Sequence, residues 1–412
     1  MSTYLGIDWS EAKHDLAFVN EAGAQVAKAT IDHSQQGFEK LTSLCQRLAV
    51  PPAQCYVAIE TKHNLLVDYL WSYGYSQVYV IPPSVVNSCR PRFSSSGART
   101  DASDAYVLAD ILRTDRHRLV LWKPDSLLTQ EMRATVVQVH QLTRQSVVMA
   151  NQLRALVLRY YPGMLELFPN LLAQTTLAFL VRFPTPAAVA QLTVASFEEF
   201  LRERRHSHRH HALARFSCLQ QPSIQTEPGT AQIYADSTVR TATLLLQVVQ
   251  ARIAAQRRLT SLFEQHPDHD SFASLPGTGD FLAPALLVKF GDDRQRFPTP
   301  AALQALAGTC PVTEASGKYR SVRFRQACDH DFRNFAQQWA IASVVRTHSP
   351  FACAYYDSLR RRHIPESHAY RCLANRWLAI GWKLWRTHST YDEAYHLQQR
   401  VARSRPVRKM PL

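Results

Sequence analysis

The chain opens on three short runs that decide its fold: Tyr4-Leu-Gly-Ile-Asp-Trp9, Asp15-Leu-Ala-Phe-Val19 and Gln25-Val-Ala-Lys-Ala-Thr-Ile31. Each run contains β-branched or aromatic residues, and turn-forming residues from Asn20 to Gly23 separate the last two. The pattern predicts an antiparallel meander of three strands.

The next hundred residues alternate between helical and strand patterns. The apolar run Cys55-Tyr-Val-Ala-Ile59 predicts a central buried strand, and Gln77-Val-Tyr-Val-Ile81 predicts another. The spacing of apolar residues predicts helices over 35–48, 65–73 and 101–112. This order of elements predicts an α/β domain with a mixed sheet.

A long helical pattern begins at Leu128. Apolar and small residues then recur at alternating four- and three-residue spacing, the seam of a coiled coil. The seam positions are Leu128, Met132, Thr135, Val139, Leu142, Ser146, Met149, Leu153 and Leu156. A helix of about 35 residues would be roughly 50 Å long. It needs a partner, either a second helix of this chain, for which 242–263 is the candidate, or another protomer.

The chain of 412 residues is therefore predicted to have four parts. They are an α/β domain over 1–125, a coiled-coil and helical connection with a basic loop over 126–268, an α-rich C-terminal domain over 269–398, and a basic tail over 399–412.

The composition points to a polyanionic partner. Lys and Arg number 47 against 33 Asp and Glu, a formal net charge of +14, which is typical of proteins that bind nucleic acid. With 46% hydrophobic residues the chain is not disordered as a whole. No signal peptide and no apolar run long enough for a membrane helix is evident, so we expect a cytoplasmic protein. The eight cysteines show no C-x-x-C spacing, which predicts free thiols.

Four acidic residues fall where strands end and a helix begins. Asp8 lies in the first strand, Glu60 ends the central strand, and Asp101 and Asp104 are three apart at a helix start. Together they predict an oxygen-rich site for Mg²⁺ or Mn²⁺, suited to phosphoryl transfer. Taken alone, Asp101 would be interpreted as a helix N-cap and Asp104 as a charge that interacts favourably with the helix dipole. Glu60 alone would be interpreted as a surface charge at the end of a strand.

Two C-terminal segments are candidates for phosphate contacts. In Leu275-Pro-Gly-Thr-Gly-Asp280, Gly277 and Gly279 either leave N–H groups free for a phosphate or make a plain turn between packed helices. In 318–325 the cations Lys318, Arg320, Arg323 and Arg325 alternate. A strand there would present most of them to one side, next to a DNA backbone, or would be a charge-protected edge strand.

Two other clusters are interpreted more plainly. The histidines of 206–211 are interleaved with arginines that would repel a metal ion, so an exposed basic loop is favoured over a zinc site. Four tryptophans, Trp339, Trp377, Trp382 and Trp385, recur at helical spacing and are interpreted as core residues.

The acidic motifs also carry a family resemblance. Gly6-Ile-Asp8-Trp-Ser10, Ala58-Ile-Glu60 and Arg99-Thr-Asp101-Ala-Ser-Asp104-Ala105 resemble the RuvC-like domain, of ribonuclease-H fold, of DEDD-type insertion-sequence transposases. This family includes the bridge-RNA-guided recombinases. The resemblance implies that Asp8, Glu60, Asp101 and Asp104 bind the metal. It also implies a phosphate contact from Arg99, where the family often has Lys.

The second half of the chain resembles the same family. The motifs are Ala307-Gly-Thr-Cys-Pro311 and Glu314-Ala-Ser-Gly-Lys318. The resemblance implies that Ser316 is the nucleophile that joins covalently to a DNA phosphate, and it adds a structured guide RNA as a partner. It is clearest over residues 4–112 and 270–385.

The sequence thus predicts a transposase or recombinase that exchanges DNA strands by Mg²⁺-assisted phosphoryl transfer through a phosphoserine intermediate. A homodimer or homotetramer is expected, since several strands are cut in one complex, and the active site could be shared between protomers. Two alternatives stay open. One is a RuvC-like Holliday-junction resolvase or nuclease that uses water, and the other is a non-enzymatic nucleic-acid-binding protein.

Overall fold

The computed structural model describes residues 2–61, 65–93, 100–205, 209–216, 227–317 and 319–404. The chain forms two compact units, Met1–Asp125 (unit 1) and Ser126–Leu412 (unit 2). Within the described ranges no helix is both long enough and apolar enough to cross a membrane. The predicted sites at Arg99 and Lys318, the histidines at 206 and 208, and the tail from 405 lie outside the described residues.

Unit 1 is an α/β domain. Its strands are β1 (Thr3–Trp9), β2 (Lys13–Val19), β3 (Gln25–Asp32), β4 (Cys55–Ile59) and β5 (Gln77–Val80). Its helices are α1 (Gln35–Arg47), α2 (Leu65–Ser72), α3 (Pro83–Cys89) and α4 (Asp101–Asp115). In the described part of the chain these strands form one mixed sheet of order β3-β2-β1-β4-β5. The first three strands are antiparallel and β1, β4 and β5 are parallel, which confirms the predicted meander and mixed sheet.

Helices cover both faces of this sheet. One core joins Leu5 and Ile7 of β1 to α1 and α2, and the other joins Ala58 of β4 to α3 and α4. Because β4 is central, its apolar run is buried on both sides, as its sequence predicts. Helix α3 was not predicted. Pro82-Pro83 ends the preceding strand, but a proline at the first helical position also starts a helix.

Gly6 lets α4 approach β1 closely. A Cβ atom at this position would lie 1.9 Å from the Ala105 carbonyl oxygen and 2.6 Å from the Ala109 nitrogen, both backbone atoms of α4. Backbone cannot swing aside as a flexible side chain can, so the helix that carries two of the candidate acids depends on a glycine here.

We therefore expect Gly6→Ala to lower the stability of unit 1 by about 3 kcal/mol or more, the upper range for an overpacked core. Hydrogen exchange of the β1 and α4 amides measures this effect. Gly381→Ala is the control, because the new Cβ would meet its nearest atom, Phe290 Cζ, at an ordinary 3.5 Å. Equal exchange rates in Gly6→Ala and the native chain would contradict this account of the helix position.

His14 of β2 makes unit 1 sensitive to acid. Its side chain is fully buried, and its Nε2 lies 2.9 Å from Nδ1 of His33. Burial and, after it, the charge of His33 lower the pKa of His14 from 6.5 to about 4, against the opposing effect of Asp15.

The folded unit therefore binds the His14 proton more weakly than the unfolded chain does. Where His14 is concerned, the free energy of unfolding is highest above pH 6.5. It falls as the pH drops towards 4, by about 3 kcal/mol at most. Amide exchange of β2, measured across this range, should show the loss. His14→Phe should remove most of this pH dependence, whereas His117→Phe, at an exposed position of the same unit, should leave it.

Unit 2 is mainly helical. Its helices are α5 (Leu127–Tyr160), α6 (Gly163–Leu167), α7 (Gln174–Arg182), α8 (Pro186–Ala190), α9 (Val194–Glu203), α10 (Arg209–Arg215), α11 (Pro228–Glu264), α12 (His269–Ala273), α13 (Gly279–Phe290), α14 (Pro300–Leu306), α15 (His330–Val345), α16 (Pro350–Arg361), α17 (Glu366–Thr387) and α18 (Glu393–Ser404). A two-stranded antiparallel hairpin, β6 (Val312–Ser316) and β7 (Tyr319–Arg323), interrupts the helices.

The long predicted helix is α5, and its partner belongs to the same chain. Helix α11 packs along it, and the ion pair between Glu131 and Arg258 joins the start of α5 to the end of α11, so the helices are antiparallel. Every predicted seam position of α5 is buried or half-buried. The seam therefore gives no reason of its own to expect a second protomer.

The helix pair has a hydrophobic core at each end. One core packs Met132, Val136 and Val139 with the end of α11 and with α12 to α17. The other packs Leu153 and Val157 with the start of α11 and with α6 to α10. All described cysteines are free, as predicted.

Candidate functional site

The parallel pairing of β1 with β4 brings two of the candidate acids to one edge of the sheet. Ile7 lies opposite Ile59, so the residues that follow them, Asp8 in β1 and Glu60 directly after β4, lie side by side at this edge. Helix α4 crosses β1 at Gly6, which places the helix start with Asp101 and Asp104 near the same edge.

The four carboxylates share one electrostatic environment. The pKa of the half-buried Asp8 is raised from 3.8 to about 7, first by burial and then by repulsion from Asp104, Asp101, Glu60 and Asp15 in that order. Burial also raises the pKa of Glu60, opposed by Arg90 and reinforced by Asp104. An Asp in this setting is costly to ionise unless a cation binds nearby.

Asp101 is not the N-cap of α4, contrary to the structural interpretation of that residue alone. Thr100 has the extended backbone of a cap, and its side chain accepts a hydrogen bond from the Ser103 nitrogen at 3.2 Å. The Ser103 hydroxyl accepts in return from the Thr100 nitrogen. The carboxylate of Asp101 is exposed and is not used to cap the helix.

Arg90 is a site residue that the sequence analysis missed. Its Nε and Nη2 donate to the two carboxylate oxygens of Asp104 at 2.9 and 2.6 Å, a bidentate ion pair. Its position after the short helix α3 gives no signal in the sequence beyond the basic Arg90-Pro-Arg92. Arg90 thus partly neutralises the charge of Asp104 at the edge of the acidic site.

The donor set fits a hard divalent cation in its chemistry. Among the described residues no three or more His, Cys, Asp or Glu side chains lie close enough together to form a complete metal-binding site. The acids nevertheless supply only carboxylate oxygens, the ligands Mg²⁺ prefers, and they raise the pKa of Asp8 by repelling one another. To join such a site, Asp104 would exchange Arg90 for the cation.

In unit 2, Ser316 is the last residue of β6, at the tip of the hairpin. It pairs with Tyr319 across a turn that contains Gly317, whose φ of +57° favours glycine. Ser316 is exposed, and so are most residues of both strands. The hairpin thus presents a serine hydroxyl with no side chain packed over it.

The cations of the hairpin do not share one face. Arg320 and Arg323 are three residues apart in β7, and alternate strand residues face opposite sides, so they point in opposite directions. Arg323 also lies 3.4 Å from the Glu314 carboxylate. The expectation of a mostly one-sided cationic strand fails for this pair, and Arg325 follows the strand.

The two glycines of the predicted turn differ in their surroundings, since Gly277 is closely packed and Gly279 is not. A Cβ on Gly277 would lie 2.5 Å from the Ser343 nitrogen of α15, and the Thr278 hydroxyl donates to the Leu275 carbonyl inside the core. Gly277 therefore serves the plain turn. Gly279 has open space around it at the start of α13.

The tryptophans are core residues, as interpreted. Trp339, Trp377 and Trp385 are fully buried, Trp382 is half-buried, and each indole N–H donates to a protein oxygen. In the described part of the histidine cluster, His210 and His211 are exposed.

Comparison with known proteins assigns the family. Residues 5–162 match the family described as Transposase, of the IS110 DEDD type, and residues 269–357 match the Transposase IS116/IS110/IS902 family. The Mini-circle putative transposase for IS117 of Streptomyces coelicolor is 33% identical over 411 residues, which is 95% of this chain and 96% of the relative. The chain belongs to the IS110 family of transposases.

Two further relatives are also proteins of insertion elements. The Insertion element IS110 uncharacterized 43.6 kDa protein of Streptomyces coelicolor is 27% identical over 95% of this chain and 96% of its own length. The Insertion element IS116 uncharacterized 44.8 kDa protein of Streptomyces clavuligerus is 24% identical over 80% of this chain and 82% of its own. The IS110-family protein is thus an enzyme, a DNA transposase of an insertion sequence.

The two family matches of this transposase include both candidate sites. The first covers the four acids and all of α5, and the second begins at α12 and includes the hairpin with Ser316. Residues 163–268, with the basic loop, lie outside both matches.

Proposed function

We propose that this transposase cuts and rejoins DNA through a covalent serine intermediate, with the acids of unit 1 as a Mg²⁺ or Mn²⁺ site. The observation that carries the proposal is the half-buried Asp8, whose pKa three other candidate ligands raise. Asp8, Glu60, Asp101 and Asp104 would hold the ion. When bound, the ion neutralises charge that develops on the phosphate in phosphoryl transfer.

In the proposed reaction the Ser316 oxygen attacks a DNA phosphorus and loses its proton to solvent. The bond from phosphorus to the 3′ oxygen breaks, which leaves a 5′-phosphoserine link and a free 3′-hydroxyl. The 3′-hydroxyl of another strand then attacks this link, restores a phosphodiester and returns the proton to Ser316. The number of phosphodiester bonds is conserved, so the exchange needs no external energy source.

We further propose a RuvC-like, ribonuclease-H fold for unit 1 and a coiled-coil connection made by α5 and α11. A homodimer or homotetramer would hold the several strands that are exchanged. A structured guide RNA is proposed as partner alongside DNA. The net charge of +14 and the exposed cations Arg320 and Arg323 support a nucleic-acid surface.

Strand exchange on a plasmid that carries the ends of the element tests this function. With the transcript of the element's non-coding flank and Mg²⁺ present, we expect joined products that disappear with EDTA or ribonuclease. Products that carry free ends without any joining would support a nuclease that uses water. Unchanged exchange in EDTA would contradict the metal assignment, and exchange after ribonuclease would contradict the guide.

A further inference from the structure

An arginine pair lies at the base of the hairpin in unit 2. Phe324 directly follows β7, and the residue is 38% exposed. The guanidinium carbons of Arg333, from α15, and Arg371, from α17, each lie 4.5 Å from the centre of the Phe324 ring. The two cations are therefore at most twice that distance apart. We call these three residues the arginine clamp.

No acid balances this charge. Within the described residues no carboxylate lies at ion-pair distance from either arginine of the clamp. The Nε atom of each is buried without a hydrogen-bond partner. More positive charge lies nearby. Burial raises the pKa of the Cys372 thiol against the charges of Arg371, Arg376 and Arg362, all of which act on it. Cations held together without an acid form a site for an anion.

The fold fixes one of the two cations. Arg333 Nη2 donates to the carbonyl oxygens of Arg325 at 2.6 Å and Gln326 at 3.3 Å. Gly308, in the left-handed region with φ of +63°, leaves room for two side chains, because a Cβ there would lie 2.8 Å from Cys328 Sγ and 2.9 Å from Arg333 Nε. The glycine of the sequence motif Ala307-Gly-Thr thus leaves space that the side chain of Arg333 requires.

We propose that the arginine clamp binds a backbone phosphate of the DNA strand that is cut, at a distance from the cut set by the hairpin. The distance rests on the proposed role of Ser316, whereas the anion site itself does not. A guanidinium presents a planar fork that matches phosphate oxygens. Arg333 is positioned in advance, and Arg371 closes on the phosphate from the neighbouring helix.

The hairpin gives the spacing. Ser316 pairs with Tyr319 at the tip, and Phe324 is five residues further along. At about 3.4 Å per strand residue the clamp lies roughly 17 Å from Ser316. The rise of B-DNA is also about 3.4 Å per nucleotide of one strand. A strand that runs along the hairpin would therefore place the clamped phosphate about five nucleotides from the cut.

Single-phosphate neutralisation tests the proposal. Labelled duplexes of one element end, each with a methylphosphonate at one position, are bound to the full chain with the flank transcript and followed by fluorescence anisotropy. In the native protein we expect about tenfold weaker binding when the clamped phosphate is neutral, since a hydrogen bond to a charged group is lost. In Arg371→Gln the additional loss at that position should be clearly smaller than in the native protein, because one of the two arginine partners is already gone and only Arg333 remains.

Two further variants keep the test decisive if Arg371→Gln folds poorly, which its melting temperature will show. Arg371→Lys keeps the charge and loses the fork, so it should recover part of the binding. Arg386→Gln is the matched control, an arginine of the same helix that lies over the ring of Trp382 instead. It should keep the native profile.

Identical methylphosphonate profiles in the native protein and both Arg371 variants would overturn the clamp. So would coupling only at a phosphate more than about ten nucleotides from the cut, which the hairpin cannot reach. The proposed nucleophile fails separately. If Ser316→Ala still forms the covalent adduct while Arg371 couples to one phosphate, the anion site stands and the serine assignment falls.

Discussion

Asp8→Asn is expected to lower DNA strand cleavage about a thousandfold or more while it makes the protein more stable at pH 8 in the absence of divalent ions. The loss follows from removal of a carboxylate ligand, since an ion at a phosphoryl-transfer site contributes several kcal/mol to the reaction. A cleavage assay on element-end DNA measures it.

The gain in stability has an electrostatic cause. The pKa of Asp8 is about 7 in the folded protein against 3.8 ordinarily, so the folded state binds the proton more tightly than the unfolded chain. Stability therefore falls as the pH rises from 3.8 through 7 and stays low above that range. Asparagine has nearly the same shape and carries no charge, so the variant should lack this contribution to the pH dependence. Urea unfolding at pH 5 and pH 8 measures it.

Asp15→Asn is the matched control, because Asp15 pairs directly with Asp8 in the sheet but is not a proposed ligand. It should cleave at nearly the native rate. Added Mg²⁺ should raise the melting temperature of the native protein and leave that of Asp8→Asn unchanged. Native cleavage by Asp8→Asn would remove Asp8 from the catalytic set.

The second large effect is expected from Ser316→Ala. Loss of the attacking oxygen should abolish the covalent protein–DNA adduct and lower strand exchange about a thousandfold or more, because no other group substitutes for a missing nucleophile. DNA affinity should change little, since an exposed hydroxyl at the hairpin tip makes no packing contact. Gel analysis under denaturing conditions measures the adduct, and anisotropy measures affinity.

Ser321→Ala is the control on the other strand of the same hairpin, where the serine lies two residue pairs from the tip pair. It should form adduct at the native level. If Ser316→Ala keeps strand exchange, or if both serine variants lose it equally, the nucleophile is not Ser316.

Local patterns in the sequence were sufficient to predict most of unit 1. The strands β1 to β5 follow from short apolar runs with turn residues between them, and the mixed sheet follows from their order. The start of α3 could not be predicted in this way, because Pro83 both ends an extended segment and begins a helix. The seam of α5 predicted a buried face but left the partner open, since a seam specifies a surface and not the molecule that covers it.

The acidic site was only partly accessible from the sequence. That Asp8, Glu60, Asp101 and Asp104 would gather at one sheet edge follows from strand direction and helix position. The bidentate pair of Arg90 with Asp104 could not be predicted, because it depends on how α3 and α4 pack against each other and not on any periodic pattern.

For the hairpin, the charge pattern of the sequence predicted more order than the fold contains. Alternating cations over 318–325 suggested one charged face, but the strand ends at Arg323, and Arg320 and Arg323 differ by an odd number of positions. The arginine clamp, likewise, joins the residue after β7 to residues of α15 and α17, and only tertiary packing brings them together. Charge patterns along the chain predict a nucleic-acid surface, and only the fold specifies which cations face each other.

Peptide mapping of the trapped protein–DNA adduct tests the central claim most directly. The reaction is stopped in denaturant, the DNA and the protein are digested, and the modified peptide is sequenced by mass spectrometry. We expect a 5′-linked nucleotide on the hydroxyl of Ser316, formed with Mg²⁺ and absent in Asp8→Asn. An adduct on any other residue, or cleavage that proceeds without an adduct, would contradict the proposed mechanism.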